Sequence, residues 1–389
     1  MIRMQQKRPI AGANAAAERL KVPAEPFFWR PGALSLLVLW MSFIQASGSI
    51  LASGRPVTLK TSNDAKKLQR TVVHSAPEIF SAHLTGAGHP ESPDRVIHAH
   101  SILKKASDGA SFFIEAPRKA TPEEIALVHD SKLIRLIDQK ARSCQSEEPV
   151  YLYSGNSDMK LCRGTDAAAK YAVGSVLKSV DMVLSSETVN AFNLVRPPGH
   201  HGLPDQAMGF CFVNNVAIGA RYAKQKYPET IKRVLIVDWD LHHGNGTQEI
   251  FLKDDSVFYF SVHLKGIFPN RPEDEALNNN GTMNRLIDPR QYRKQQVFKA
   301  FEDLALRMET FKPQIIFISA GFDGHEKETI VPGGLGLSSE DYRTLTQKIL
   351  EMAKTYSNNR VISVLEGGYH VDAVGDAVLS HVLALSQEP

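Results

Sequence analysis

Residues 234–248, VLIVDWDLHHGNGTQ, place acidic and imidazole side chains directly behind an apolar run. Asp240 and His242 are two positions apart, so in an extended segment their side chains point to the same side. With Asp323 from the later segment SAGFDGH, they could supply three ligands to one divalent metal ion. Three protein ligands that leave positions open for water and substrate are typical of a catalytic zinc site. The same donors also suit iron(II), cobalt or manganese.

Two adjacent histidines follow a Pro-Pro-Gly turn in the segment RPPGHH and could carry protons. Such a turn can present both His200 and His201 to one cavity, and imidazole is the usual general acid and base near neutral pH. A histidine that exchanges protons needs its other ring nitrogen held by a carboxylate or an amide. We therefore expect Asp238 and Asn245 to hold the two imidazoles, one each.

The segment EGGYH places a phenol behind two glycines, where the backbone can approach a ligand closely. A phenolic donor at Tyr369 could polarise a carbonyl group and stabilise the oxyanion that forms from it. A core tyrosine after a glycine turn is the structural alternative. His243 differs from these residues, because strand alternation points it away from His242, and we interpret it as structural.

The chemical clusters follow apolar, β-branched runs that predict buried strands. The predicted strands are residues 191–195, 234–239, 257–262, 314–320 and 360–365. The predicted helices are residues 166–184, 214–226, 291–311, 339–357 and 371–385. Their alternation predicts an α/β domain with a mostly parallel sheet covered by helices on both faces. Since ligands bind beyond the carboxyl ends of parallel strands, the polar clusters behind four of these strands predict one composite site.

The charge balance separates the N-terminal region from the rest of the chain. The 389 residues include 45 Lys or Arg and 42 Asp or Glu, but the first 60 residues hold eight of the basic and only two of the acidic ones. The remainder has a slight negative excess and lacks the basic stripe of a nucleic-acid binder, so we expect no direct nucleic-acid partner. Three cysteines at unrelated spacings, Cys144, Cys162 and Cys211, predict neither a disulfide framework nor a metal site.

Residues 33–52, ALSLLVLWMSFIQASGSILA, form a nearly uncharged apolar stretch behind a basic leader. Three interpretations are open. The first is a signal peptide or signal anchor, with a secretory route or a membrane contact. The second is part of a presequence for a plastid or mitochondrion, and the third is a simple extension of a cytoplasmic protein. We accordingly divide the chain into a targeting or signal-anchor-like extension, residues 1–69, and a catalytic domain, residues 70–389.

Five motifs, RPPGHH, GFCFVNNVAI, DWDLHHGNGTQ, SAGFDGH and LEGGYH, resemble in this order those of the histone deacetylase family, most closely its class II and bacterial branch. The resemblance covers about residues 72–385. It implies the arginase/deacetylase fold, a single three-layer α/β domain with its active site at the carboxyl ends of the strands. It also implies hydrolysis of an N-acetyl amide with one catalytic Zn2+ ion.

The resemblance assigns roles to matching positions of this sequence. His201 would be the main general base and acid, with His200 as its electrostatic partner. The implied zinc ligands are Asp240, His242 and Asp323. The other implied catalytic positions are Asp238 behind His200, Asn245 near His201, and Tyr369 on the acetyl carbonyl.

The same resemblance implies a hydrophobic gorge and structural K+ ions. The gorge maps onto Phe210 and Phe268, and the Gly209 carbonyl would receive the substrate amide. The first implied cation site comprises Asp238, Asp240, His242, Ser261 and Val262. The second comprises Phe251, Asp254 and Val257.

The resemblance leaves the substrate open between proteins and small molecules. Acetyl-lysine in proteins is the first expectation, and small acetylated amines such as acetylpolyamines or N-acetyl arylalkylamines are the alternative. A non-catalytic acetyl-lysine binder would be expected to lose a metal ligand or the tyrosine. Three departures from the family pattern are a short, asparagine-rich loop at 264–288, Pro332 in place of a frequent leucine, and His370 in place of a frequent asparagine. The loop forms one wall of the gorge, but none of the three alters the metal ligands.

Overall fold

Ten strands occur in the computed structural model, which describes residues 71–145, 148–154 and 158–387. They are β1 (Thr71–Ser75), β2 (Phe112–Glu115), β3 (Val150–Tyr151), β4 (Lys160–Leu161), β5 (Asn190–Leu194), β6 (Val234–Asp238), β7 (Val257–Leu264), β8 (Thr282–Ile287), β9 (Ile315–Ala320) and β10 (Val361–Leu365). Eight of them form one sheet in the order β2-β1-β5-β10-β9-β6-β7-β8. Every neighbouring pair in this sheet is parallel, and β3 and β4 form a separate antiparallel pair.

The parallel sheet predicted from the sequence is confirmed. Each of the five predicted strands is present, with ends that differ by at most two residues. Every residue of β6, β9 and β10 is buried, as expected for central strands covered on both faces. The strands of this sheet that the pattern did not predict, β1, β2 and β8, lie at or next to its edges, and the pattern did not predict the separate pair β3 and β4 either. β2 has only four residues and β8 mixes polar with apolar ones, so neither gives a continuous apolar run.

Eleven helices occur in the same described residues. They are α1 (Pro77–Phe80), α2 (Asp94–Ala106), α3 (Pro122–Ile125), α4 (Ser131–Ser143), α5 (Thr165–Leu184), α6 (Asn215–Lys226), α7 (Asn245–Phe251), α8 (Pro272–Glu275), α9 (Arg293–Phe311), α10 (Ser339–Tyr356) and α11 (Val371–Leu385). α2, α9, α10 and α11 pack in one layer, and α4 to α7 pack in another. The five predicted helices correspond to α5, α6, α9, α10 and α11, so the three-layer α/β prediction is confirmed.

Side-chain caps explain where two of these helices begin. The Asn214 side chain accepts a hydrogen bond from the Ala217 N–H at the start of α6. Ser338 and Asp341 form a reciprocal capping box at the start of α10. Such caps satisfy N–H groups that have no partner within the helix, and they therefore fix the first turn.

Trp239 anchors the end of β6 in the helical layer. Its indole is fully buried and contacts Phe301 of α9, Tyr342 of α10 and His381 of α11, with ring centroids 6.4, 6.1 and 5.4 Å away. Because side chains alternate along an extended segment, the same packing turns Asp238 and Asp240 to the opposite side. The hydrophobic core therefore orients the first two carboxylates of the site.

None of the helices in the described part of the chain is long and apolar enough to span a membrane. The apolar stretch at residues 33–52, and with it the predicted extension over residues 1–69, lies outside the described residues.

Candidate active site

Three buried side chains converge beyond the carboxyl ends of β6 and β9. Asp240, His242 and Asp323 each offer one ligand atom, and these atoms lie within 4.8 Å of one another. His242 Nδ1 is 3.1 Å from Asp240 Oδ1 and 2.9 Å from Asp323 Oδ2. Two carboxylates and one imidazole in such a cluster fit a divalent ion such as Zn2+. The structure thus brings together the predicted ligands, and their binding of a metal stays a prediction.

Two glycines allow neighbouring loops to approach the carboxylates. A Cβ atom on Gly321 would lie 2.1 Å from Asp240 Oδ2, and one on Gly367 would lie 2.5 Å from Asp323 Oδ2. Because Gly367 has no side chain, its backbone can come close enough for its N–H to donate to Asp240 Oδ2 over 2.8 Å. The Leu241 N–H donates to Asp323 Oδ1 over 2.8 Å. These backbone donors fix the carboxylates, which is the support that metal ligands need.

The cluster attracts positive charge. Burial raises the pKa of Asp323 to about 7, and the neighbouring Asp240 carboxylate adds to the effect. Burial disfavours protonation of His242, but hydrogen bonds and charge from Asp240 and Asp323 outweigh it and raise its pKa to about 10. These raised pKa values mean that the cluster holds a proton when no other cation is present, and a bound divalent ion would neutralise the same negative charge.

The histidine pair lies beside this cluster, and each imidazole has the partner that the sequence predicts. His200 Nδ1 is 3.1 Å from Asp238 Oδ2, and Tyr259 donates its hydroxyl to the same oxygen over 2.9 Å. His201 Nδ1 is 2.8 Å from Asn245 Oδ1. Because that oxygen can only accept, His201 must carry its hydrogen on Nδ1 and leave Nε2 free as an acceptor.

The surroundings shift the pKa values of the two imidazoles in opposite directions. Burial lowers the pKa of His200, but Asp240 and Asp238 outweigh this and raise it well above the usual range. Burial lowers the pKa of His201 well below the usual range, and the cationic His200 and His242 lower it further. The surroundings therefore favour a charged His200 and a neutral His201, a combination that suits an electrostatic partner beside a general base.

Glu366 holds the backbone of the histidine turn and was not predicted from the sequence. Its Oε2 accepts the N–H groups of Gly199 and His200 at 2.5 and 3.1 Å, and its Oε1 accepts the Ser319 hydroxyl at 3.0 Å. Burial raises the pKa of Glu366 to about 7. The signal for it in the sequence is a single acidic residue directly behind the apolar run of β10.

A narrow cavity of about 190 Å³ leads to the cluster. Gly209 has a φ of +54°, and a Cβ atom there would lie 2.5 Å from His201 Cδ2, so the cavity wall requires glycine. The Phe268 ring lies 4.9 Å from the His201 ring, measured between centroids. The lining residues are Asp158, His201, Gly209, Phe210, His242, Phe268, Ile330 and Tyr369. Asp158 and Ile330 were not predicted, because neither stands in a recognisable motif.

Tyr369 faces the Phe210 ring, with 6.0 Å between centroids. Burial raises the pKa of its phenol well above the usual range, and the charge of Asp323 adds to this. The phenol therefore stays protonated at neutral pH and can donate a hydrogen bond. The Arg95 guanidinium lies 5.1 Å from its ring centroid.

A buried ion cluster holds Arg95 in place. Arg95 donates to Glu91 at 2.8 Å and to the Gly368 carbonyl at 2.5 Å. Arg196 donates to both carboxylate oxygens of Glu91, at 2.5 and 2.7 Å. Burial disfavours ionisation of Glu91, but the two guanidinium groups outweigh it and lower its pKa to about 2. The cluster therefore ties the loop before Tyr369 to α2, and no sequence motif indicated it.

Two residues of the first predicted K+ site, Asp238 and Ser261, are neighbours in the sheet, whereas Asp240 and His242 lie beyond the end of β6. Ser261 of β7 pairs with Asp238 of β6, and its hydroxyl is 2.8 Å from His263 Nδ1. His243 lies on this side as well, with its ring centroid 4.6 Å from that of His263 and its Nε2 3.0 Å from Gln248 Oε1. His243 is therefore placed outside the cavity, as its structural interpretation requires.

The second predicted K+ site lies at the turn between α7 and β7. The Phe251 carbonyl accepts the Asp254 N–H, and the Asp254 carbonyl accepts the Val257 N–H. The Asp254 carboxylate already pairs with Arg221 and with Lys224, the latter at 3.0 Å. Its charge is thus balanced by the chain itself, and K+ binding at both sites stays a prediction.

Comparison with known proteins gives a consistent result. A family model described as "Histone deacetylase domain" matches residues 89–385. The chain is 31% identical over 350 residues to Histone deacetylase 5 of Arabidopsis thaliana, covering 87% of this chain but only 52% of that protein. It is 31% identical over 308 residues to the Histone deacetylase-like amidohydrolase of Pseudomonas aeruginosa, covering 76% of this chain and 77% of that protein. The crystal structure of the HDA15 HD domain superposes with a TM-score of 0.72 at 28% identity, covering 82% of this chain and 90% of that one.

Proposed function

The chain belongs to the histone deacetylase family, and from this premise we propose that it hydrolyses the acetyl amide of N-acetylated amines. The observation that carries the proposal is geometric: two imidazoles, His200 held by Asp238 and His201 held by Asn245, lie beside the buried ligand cluster. A binding module would need no pair of oriented imidazoles at a metal site. The chain spans about half of the Arabidopsis relative, so the proposal concerns the domain that the two share.

We propose Asp240, His242 and Asp323 as the residues that hold one divalent ion, with Zn2+ as the first choice. When bound, such an ion polarises a carbonyl oxygen and lowers the pKa of water. The donor set and the glycine contacts around it support this assignment.

The chain's own residues would then carry the reaction. His201 Nε2 takes a proton from the attacking water, whose oxygen forms a bond to the acetyl carbonyl carbon. The Tyr369 phenol donates to the oxyanion that develops on the carbonyl oxygen. As the carbon–nitrogen bond breaks, the His201 imidazolium returns its proton to the leaving amine, and acetate and a free amine result. Asp238 and Asn245 keep the imidazoles oriented throughout.

We propose acetyl-lysine in proteins as the first substrate class. The narrow cavity with phenyl rings at Phe210 and Phe268 suits an unbranched alkyl chain that carries the acetamide at its end. Acetylated polyamines and arylalkylamines present a similar chain, so they are the alternative substrate classes to be tested.

The test combines metal analysis of the purified protein with release of acetate. The substrates are a panel of acetyl-lysine peptides, acetylpolyamines and N-acetyl arylalkylamines. We expect about one divalent ion per chain and acetate from at least one class. Protein without metal and without acetate release from any substrate would refute the proposal, and full activity of Asp240→Ala would refute the ligand assignment.

We also propose that residues 70–389 form the catalytic domain and that residues 1–69 form a targeting or signal-anchor-like extension. The basic leader and the apolar stretch at 33–52 support an organelle or secretory route. Mass spectrometry of the mature N-terminus tests this, and a mature chain that begins at Met1 would contradict both cleaved forms.

A further inference from the structure

Glu328 is a buried carboxylate that the proposed mechanism does not use. It lies in the loop between β9 and α10, and only 4% of its surface is exposed. Its oxygens are satisfied by backbone N–H groups and one hydroxyl. A buried charge is costly unless hydrogen bonds compensate it, so the identity of its donors is informative.

The donors come from two separate segments of the cavity wall. Glu328 Oε1 accepts the N–H groups of Thr329 and Ile330 at 2.6 and 2.9 Å. Glu328 Oε2 accepts the N–H of Tyr369 at 2.9 Å, across 41 positions of sequence. Ile330 and Tyr369 both line the cavity. One carboxylate therefore joins the apolar wall to the residue that carries the phenol.

Gly367 and Gly368 precede Tyr369, and Gly368 has a φ of +113°, a conformation that other residues rarely adopt. The Gly367 N–H donates to Asp240 Oδ2 and the Gly367 carbonyl accepts the Phe322 N–H, so the path of the chain is fixed up to this residue. The Arg95 guanidinium holds the Gly368 carbonyl, and Glu328 holds the next N–H. These two contacts fix the backbone on which the Tyr369 side chain is mounted, while Arg95 and Phe210 contact the ring itself.

We propose that Glu328 is a positioning residue that fixes the Tyr369 phenol relative to the cavity wall at Ile330. The inference rests on the proposed function and deepens it, because it assigns control of the phenol to a side chain that touches neither substrate nor metal. A phenol displaced by about 1 Å would lose much of its effect on the oxyanion.

Glu328→Gln is the most informative substitution because it preserves shape. A glutamine offers one acceptor oxygen and one NH2 group, so it cannot accept from both Ile330 and Tyr369. We expect kcat to fall roughly 10- to 100-fold, with KM changed by less than about threefold. If Glu328 acted through Ile330 alone, the variant would resemble Ile330→Ala, with a raised KM and an unchanged kcat, and the proposal would fail.

A double-mutant cycle separates positioning from general structural support. We expect Glu328→Gln to cause no further loss of kcat once Tyr369→Phe has removed the phenol, because the two changes affect one interaction. Asp341→Asn is the matched control, an acid-to-amide exchange in the capping box of α10, and its effect should multiply with that of Tyr369→Phe. Losses that also multiply for Glu328→Gln would overturn the proposal.

Hydrogen exchange requires no turnover, so it tests the role of Glu328 separately from the proposed function. Hydrogen exchange of the Tyr369 amide in the unliganded protein should be faster in Glu328→Gln than in the wild type or in Asp341→Asn. Equal exchange in all three would refute the contact. If the wild type releases no acetate, the proposed function fails, yet the exchange result still decides whether Glu328 restrains Tyr369. Should Glu328→Gln not fold, Glu328→Asp, which keeps the charge but is too short to reach both segments, takes its place in both experiments.

Discussion

Replacement of Gly321 by alanine is the most direct test of the ligand cluster. A methyl group at this position would lie 2.1 Å from Asp240 Oδ2 and 2.6 Å from Asp240 Cα. Ordinary contact begins at 3.4 Å, so the carboxylate or the loop has to move by roughly an ångström. Loss of a supporting contact around a metal ligand costs about 10- to 100-fold in affinity. A displaced ligand should cost at least as much, so we expect the dissociation constant for Zn2+ to rise about 100-fold.

The assay is competition for Zn2+ with a chromophoric chelator, followed by acetate release at saturating metal. Gly281→Ala is the matched control, because a methyl group there meets nothing closer than 3.4 Å. Thermal melts of the metal-free proteins show whether both variants fold. A folded Gly321→Ala protein with wild-type affinity and wild-type acetate release would refute the assignment of Asp240.

Three further predictions follow from the contacts around the site. Glu91→Gln should destabilise the fold by about 3 kcal/mol at pH 7, measured by urea unfolding, because the pKa of Glu91 is about 2 in the folded protein against an ordinary 4.5. This stabilisation is complete above the ordinary pKa and is lost as pH falls through the pKa of the folded protein. The difference in unfolding free energy between variant and wild type should therefore shrink towards pH 2, and a difference that stays constant with pH would contradict the prediction. Asn245→Ala should lower kcat by roughly 10-fold or more, because His201 loses the acceptor that fixes its tautomer, and an unchanged kcat would show that the hydrogen bond has no role in the reaction. Dialysis against a chelator should abolish acetate release, Zn2+ should restore it, and activity that survives complete metal removal would exclude the proposed chemistry.

The sequence predicts the parts of the site that depend on local alternation. Asp240 and His242 share one extended segment, and because β9 lies next to β6, Asp323 in the loop after β9 comes close to them. The central strands could also be predicted, because their apolar runs are continuous. The long helices between them could be predicted as well. The five ordered motifs supplied the family and the residue roles.

The supporting residues could not be predicted in the same way. Glu366, Glu328 and Arg95 act through contacts with backbone groups, and those contacts depend on the paths of loops far apart in sequence. A backbone donor carries no side-chain identity, so no pattern of residue types marks its partner. Asp158 could not be predicted either, because no pattern of residue types marks its place in the cavity wall.

Trp239 links the site to the energetics of the whole domain. Its indole packs among three helices, and its chain neighbours Asp238 and Asp240 face the site, so we expect the core and the site to open together. The unfolded chain would then retain no arrangement of Asp240, His242 and Asp323 that a single ion could use. A metal that binds only the folded state stabilises that state in proportion to the logarithm of its concentration over the dissociation constant. The proposed metal site would therefore make the folded fraction of this protein, and not only its activity, depend on the metal concentration.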